Sequence, residues 1–183
     1  FTHIDAPRHI VPDGQTTSDL DLRAVTGRAA IVDLAAVWGD TALPPNTPVT
    51  PELLAAGSAH VAPGDIVLLK SCWDTVASDT KPDFWRMAPY LTREAAEWLY
   101  ERDITTIGYD FPQDYPIRDL LDGVVRPIEE HFTHDILLRN GVIMIEYLQN
   151  LGSLTRPHTE LFALPLKIPN ADGAPARVIA IEK

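Results

Sequence analysis

Short apolar runs recur along the chain, each bounded by polar segments rich in Pro, Gly, Asn and Asp. β-Branched runs of this length between turn residues predict buried strands. On this pattern, strands are predicted over 29–35 (AAIVDLA), 63–71 (PGDIVLLKS), 104–110 (ITTIGYD) and 142–148 (VIMIEYL). Two more, LFALPLKI and ARVIAIE, flank the turn segment PNADGAP and predict a closing hairpin or a neighbouring pair. Helical signals fall between the strands. Thr50 before Pro51 suits an N-cap followed by proline at the first helical position, for a helix PELLAAG closed by Gly57. LTREAAEWLYERD predicts a second helix, capped by Thr92, with Ala95, Trp98, Leu99 and Arg102 on one face. Pro127 opens a third through IEEHFTHDILLRN, with Asn140-Gly141 as its stop. Strands that alternate with helices and then pair at the end predict an α/β domain built on a mixed sheet.

Residues 73–90 show no periodicity but carry Trp73, Phe84, Trp85, Met87 and Tyr90. A long aromatic loop of this kind either covers a site or patches the edge of the core.

Composition narrows the function classes. With 45% hydrophobic and 22% charged residues in 183, the chain reads as one globular domain with a substantial core. The net charge of −11 disfavours nucleic acid or an anionic membrane as partner, because both need clustered Lys and Arg. No apolar run reaches the roughly 18 residues of a membrane span. A single cysteine, Cys72, leaves no internal disulfide and no Cys-rich zinc site; it reads as a buried structural thiol. The default compartment on these grounds is cytoplasmic. No nucleophile elbow and no glycine-rich phosphate loop is present.

The candidate chemistry lies in histidines and carboxylates. In an extended segment His3 and Asp5 project to the same side, a workable ligand pair for Zn²⁺ or Mn²⁺. His9, two positions past Pro7, can lie near the same point, either as a group supporting a ligand from behind or as an acid/base group. His131 and His134 are three apart on the predicted helix and share a face. Glu146 ends an apolar strand, where it must be solvated, paired or bound to a cation. A helix packed back on its own following strand would bring His134 and Glu146 together; the alternative is a solvent-facing Glu146. His60 and His158 sit in loop-like contexts and read as structural.

The stretch FTHIDAPRH resembles the His-x-Gly-Thr-His-x-Asp-x-Pro-x-His signature of the cyclase-like metal-dependent hydrolases, the family of kynurenine formamidase and isatin hydrolase. PGDIVLLKSCWD, LTREAAEWLYERDITTIGYD, HDILLRNGVIMIEYLQNLGSL and LFALPLKIPNADGAPARVIAI resemble later family segments, in order. The resemblance implies an α/β fold with a mixed, barrel-like central sheet and surrounding helices, assembled as a homodimer or homotetramer. It implies His3, Asp5, His134 and Glu146 as ligands of one or two Zn²⁺ or Mn²⁺ ions, with Asp5 bridging in two-metal members, and His9 as the catalytic histidine. The twelve-residue spacing to Glu146 selects His134 over His131. Phe1 stands where the family has glycine and is expected on the pocket wall; Trp73 and Trp85 are expected against a planar substrate. The signature is entered partway, so a single domain over 1–183 is expected to lack its N-terminal segment and the first histidine ligand. GYDFPQDYP also departs from the Ser-containing family version. The implied activity is hydrolysis of an amide-type C–N bond in a small molecule, an aryl formamide or a cyclic amide. The alternatives are polyketide-type ring closure or dehydration on the same fold, and a non-catalytic metal-stabilised binding module.

Overall fold

The protein is described from a computed structural model in which residues 1–182 are placed. In chain order the elements are β1 (His3–Asp5), β2 (Thr26–Asp33), α1 (Leu34–Trp38), β3 (Pro48–Val49), α2 (Pro51–Gly57), β4 (Ile66–Lys70), α3 (Pro82–Arg86), β5 (Tyr90–Leu91), α4 (Arg93–Tyr100), β6 (Thr106–Tyr109), α5 (Ile117–Leu120), β7 (Ile143–Glu146), β8 (His158–Pro165) and β9 (Gly173–Ile181). Seven strands close into a barrel in the order β1-β7-β6-β4-β2-β8-β9, while β3 and β5 form a small separate pair. β2, β4, β6 and β7 run parallel to their neighbours among themselves. β1 closes the barrel antiparallel to both β7 and β9, and β8 pairs antiparallel with β2 and β9. The mixed, barrel-like α/β architecture is the one expected.

Strand alternation sorts the apolar side chains into two cores. Ile4, Ile31, Ile66, Leu68, Ile145 and Leu161 fill the barrel. Val67, Leu69, Ile107 and Met144 point outward and pack under Leu34, Leu54, Leu99 and Leu137 of the surrounding helical layer. The parallel strands are thus buried on both faces, which is why they read as continuous apolar runs. Gly108 is required inside: a Cβ there would lie 2.7 Å from Leu68 Cδ2 and 2.8 Å from Leu148 Cδ1. Two residues on, buried Asp110 accepts hydrogen bonds from Ser71 N (3.0 Å), Ser71 Oγ (2.6 Å) and Cys72 N (2.8 Å). That bond set fixes the turn after β4.

Local chemistry explains where the elements depart from the sequence pattern. Thr50 and Thr92 cap α2 and α4 as predicted. The run 29–35, however, is split: β2 ends at Asp33, whose carboxylate accepts from Ala36 N at 3.0 Å and starts α1. The segment 128–140 is not one helix. It is a 3₁₀ turn at Ile128–Glu130, a π turn at Thr133–Leu137 and a 3₁₀ turn at Leu138–Asn140. The break arises because Asp114 takes hydrogen bonds from Thr133 N (2.9 Å) and Thr133 Oγ1 (2.7 Å), capping a new helical segment there. Gly141 stops it at φ +92°, as the Asn-Gly signal predicts. Among the described residues, no helix is long and apolar enough to cross a membrane.

Candidate metal centre

β1 is three residues long, yet it carries the site. Ile4 points into the barrel, so His3 and Asp5 both face outward. The register sets His3 opposite Glu146 on β7 and Asp5 opposite Gly173 on β9. His134 arrives from the π turn above them, a geometry often found at functional sites. The donor atoms converge: His3 Nε2 lies 3.6 Å from Asp5 Oδ1 and 3.6 Å from Glu146 Oε2. His134 Nε2 lies 3.9 Å from Asp5 Oδ2 and 3.7 Å from Glu146 Oε1. Ligands held about 2.0–2.2 Å from one tetrahedral ion are spaced roughly 3.3–3.6 Å apart, so the His3 contacts are close to coordinating geometry; His134 faces the other oxygen of each carboxylate, at slightly longer range. A ring nitrogen of His9 also lies within 4.8 Å of donor atoms of Asp5 and His134.

Each histidine is oriented from behind. His3 Nδ1 contacts the Phe1 carbonyl oxygen at 3.0 Å, His134 Nδ1 contacts Asp114 Oδ2 at 2.6 Å, and His9 Nδ1 contacts Asp172 Oδ2 at 3.1 Å. A carbonyl or an ionised carboxylate only accepts, so in the neutral ring Nδ1 carries the hydrogen and Nε2 keeps its lone pair. Glu146 is held likewise, by a hydrogen bond donated from Gln113 Nε2 to Oε1.

The electrostatics call for a cation. Asp5 and Glu146 are only 4% and 3% exposed. Burial raises the Glu146 pKa, and repulsion from Asp5 adds to this. Burial opposes a charge on His134, but the Asp114 hydrogen bond and the Asp114, Glu146 and Asp5 charges win, lifting it to about 9. His3 is raised against its burial by the Asp5 bond and the Glu146 and Asp5 charges. Without an ion, the carboxylates recruit protons onto the histidines. The donor set (imidazole and carboxylate, no thiolate) suits a borderline or hard divalent ion, and the residues fit one.

The "Putative cyclase" family model matches residues 1–113, more than half of the chain. The chain belongs to the Cyclase family. This Cyclase-family chain is 30% identical to kynurenine formamidase of Bacillus cereus over 183 residues, covering 97% of itself and 73% of that protein. It is 32% identical to kynurenine formamidase of Salinibacter ruber over 179 residues, with the same two coverages of 97% and 73%. Among solved structures it resembles one described as a potential metal-dependent hydrolase with cyclase activity, at TM-score 0.72 and 30% identity over 98% of this chain and 76% of that one. It also resembles an isatin hydrolase bound to the product analogue thioisatinate, at TM-score 0.79 and 25% identity over 98% of this chain and 70% of that one.

The aromatic expectations divide. Phe1 is exposed and lines a cleft of about 400 Å³ together with His3, Asp5, His9, Tyr147 and Asp172. Trp85 reaches the cleft only through Tyr147, whose ring packs 4.9 Å from Trp85 and 5.3 Å from His3. Trp73 is corrected: it is 1% exposed, and its Nε1 donates to the Phe84 carbonyl at 3.0 Å. A flat apolar ring followed by a polar turn folds inward because burial of so large a surface outweighs exposure at the cleft. His60 and His158 pack on each other at 5.1 Å, outside the cluster. Sequence reasoning missed Gln113, Asp114, Asp172 and Tyr147. Their only local signals are turn-forming residues and a lone aromatic.

Proposed function

We propose that this chain is a metal-dependent hydrolase that cleaves an amide-type C–N bond of a small molecule, an aryl formamide or a cyclic amide. The observation that carries this reading is the clustering of His3 and His134 around the two buried carboxylates, Asp5 and Glu146, each histidine facing one oxygen of each. Family membership and the formamidase and isatin hydrolase relatives agree with it. Those residues would hold the ion, Zn²⁺ or Mn²⁺ by donor type. Asp5 and Glu146 each turn one oxygen toward His3 and the other toward His134, which supports room for a second ion held by His134 and Glu146 with Asp5 shared. When bound, such an ion supplies Lewis acidity, polarising a carbonyl and acidifying water.

The chain's own residues do the rest. His9 Nε2 takes the proton from water as it attacks the carbonyl and returns it to the leaving nitrogen. Phe1 and Tyr147 form an aromatic wall on which a planar substrate can stack, with Trp85 backing Tyr147. The relatives' names favour hydrolysis over ring closure or binding alone, although one structural neighbour's description joins hydrolase with cyclase activity. A homodimer or homotetramer is part of the proposal. An outward apolar stripe on β8 and β9, with Phe162 opposite Ile179 and both side chains exposed, supports it.

The test combines elemental analysis with turnover of aryl formamides, cyclic amides, lactones and poly-carbonyl chains, and with light scattering for the assembly. One or two divalent ions per chain and hydrolysis of an amide are expected. Absence of tightly bound metal, or metal without amide hydrolysis, would overturn the reading.

A further inference from the structure

We propose that Asp172 is a positioning residue that fixes the tautomer and aim of His9. This rests on His9 being the acid/base group proposed above. Asp172 stands in the segment joining β8 and β9, which by sequence is only a turn. The structure gives it a second task. Its Oδ2 meets His9 Nδ1 at 3.1 Å.

Both side chains are solvent-exposed, His9 at 40% and Asp172 at 59%, and the backbone sets the contact. The same residue, Ala6, ties both partners: Ala6 N donates to the Asp172 carbonyl oxygen at 2.8 Å, and His9 N donates to the Ala6 carbonyl oxygen at 2.9 Å. Ala6 itself is fully buried. The preceding residue is pinned as well, since Thr17 N donates to the Ala171 carbonyl oxygen at 2.9 Å. The other carboxylate oxygen, Asp172 Oδ1, accepts from Gly173 N at 3.0 Å, which sets the rotation of the carboxylate. Gly173 in turn is the register partner of Asp5. One dipeptide therefore touches the histidine through Asp172 and the candidate ligand through Gly173.

The chemical consequence follows from donor and acceptor counting. An ionised carboxylate offers no hydrogen, so the neutral His9 ring must carry its proton on Nδ1. Nε2 is then the basic nitrogen, and it is the one left free for the cluster. The other tautomer would present an N–H to water where a base is needed. The carboxylate also stabilises the imidazolium formed when His9 takes a proton, as in other His–carboxylate pairs. At His3 and His134 the equivalent support comes from a carbonyl and from buried Asp114; at His9 it comes from the β8–β9 connection.

The test uses Zn²⁺-loaded protein labelled with ¹⁵N at histidine, studied at pH 8 by long-range ¹H–¹⁵N correlation, with His9→Gln to assign the signal. Native protein is expected to show His9 with hydrogen on Nδ1. In Asp172→Ala the Nε2–H form should appear, and kcat should fall about ten- to a hundredfold, part of the roughly 10²–10⁴ a positioned base contributes. KM should stay within about threefold and zinc content unchanged, and Asp172→Glu should recover part of the loss. An unchanged His9 tautomer in Asp172→Ala overturns the proposal. So does kcat within twofold of native, or a loss of activity that tracks loss of zinc. If native protein hydrolyses no amide, the functional reading fails, while the tautomer comparison still decides the role of Asp172.

Discussion

Gly173→Ala is the substitution that most directly tests how the candidate metal site is built. A Cβ at Gly173 would sit 2.6 Å from Asp5 Oδ1 and 3.2 Å from the Ile4 carbonyl oxygen. Carbon and oxygen ordinarily approach no closer than about 3.3 Å, so about 0.7 Å must be found. The backbones cannot supply it cheaply, because Gly173 and Asp5 are paired in the antiparallel β1–β9 ladder. The Asp5 carboxylate must therefore swing. Metal–ligand distances tolerate only about 0.2 Å, so a displacement of this size should weaken divalent-ion binding about 10- to 100-fold. That corresponds to about 1.4–2.8 kcal/mol. The assay is chelator competition for Zn²⁺, with thermal unfolding of the metal-free protein alongside; overpacking should cost about 1–3 kcal/mol of stability without unfolding the chain. Gly152→Ala serves as control, since its Cβ would meet only Cys72 Sγ, at 3.4 Å, away from the cluster. If Gly173→Ala bound Zn²⁺ within twofold of native while remaining folded, the view that this glycine makes room for the ligand would be wrong.

Asp114→Asn should lower metal affinity about 10- to 100-fold, because the amide cannot accept from Thr133 N, Thr133 Oγ1 and His134 Nδ1 together; chelator competition matching native protein would refute the support role. Metal uptake should also depend on pH. With His134 lifted to about 9 and His3 also raised, the metal-free site holds protons at pH 7 that must leave on binding. Affinity should therefore rise with pH, by up to about tenfold per unit for each proton displaced, and level off above pH 9 or so. Calorimetry at pH 7 in buffers of different ionisation enthalpy reads the released protons directly, and finding none would count against the charge balance described. The Cys72 thiol is pushed up to about 11, by burial first and then by the Asp110 charge. Its thiolate is scarce at pH 8, so native protein should react with a disulfide reagent about 10²-fold more slowly than unfolded protein, and Cys72→Ala should keep native metal affinity; fast labelling of folded protein would contradict the burial.

The strands β2, β4, β6 and β7 were legible because burial on both faces writes them as apolar runs. The caps at Thr50 and Thr92 were legible because the capping oxygen is a local signal. β1 was not, since three residues with one apolar side chain carry no periodicity; it exists because β7 and β9 supply its partners. The fracture of the segment 128–140 was equally hidden, because the group that causes it, Asp114, lies fourteen or more residues upstream. Of the cluster, His3 and Asp5 were readable from spacing, and His134 with Glu146 from the family resemblance. Asp114 and Asp172 were masked by their own chemistry. Aspartate is a normal turn residue, so its presence in FPQDYP and PNADGAP gave no reason to look further.

The barrel core also explains why the geometry of the candidate ligands is held so firmly. β1 contributes only one side chain to the interior, Ile4, which is fully buried. Burying it is worth about 2–3 kcal/mol. A slip of one residue would turn Ile4 outward and drive His3 or Asp5 into an apolar barrel, where an unpaired polar group costs several kcal/mol. The register that places His3 opposite Glu146 and Asp5 opposite Gly173 is therefore selected by Ile4, and Ile145 on β7 selects it again from the other side. Two buried isoleucines thus set the register of a polar cluster on the opposite face of their strands. It follows that Ile4→Ala should loosen the metal site as well as the core, whereas cavity-forming changes in the helical layer distant from β1 should affect stability alone.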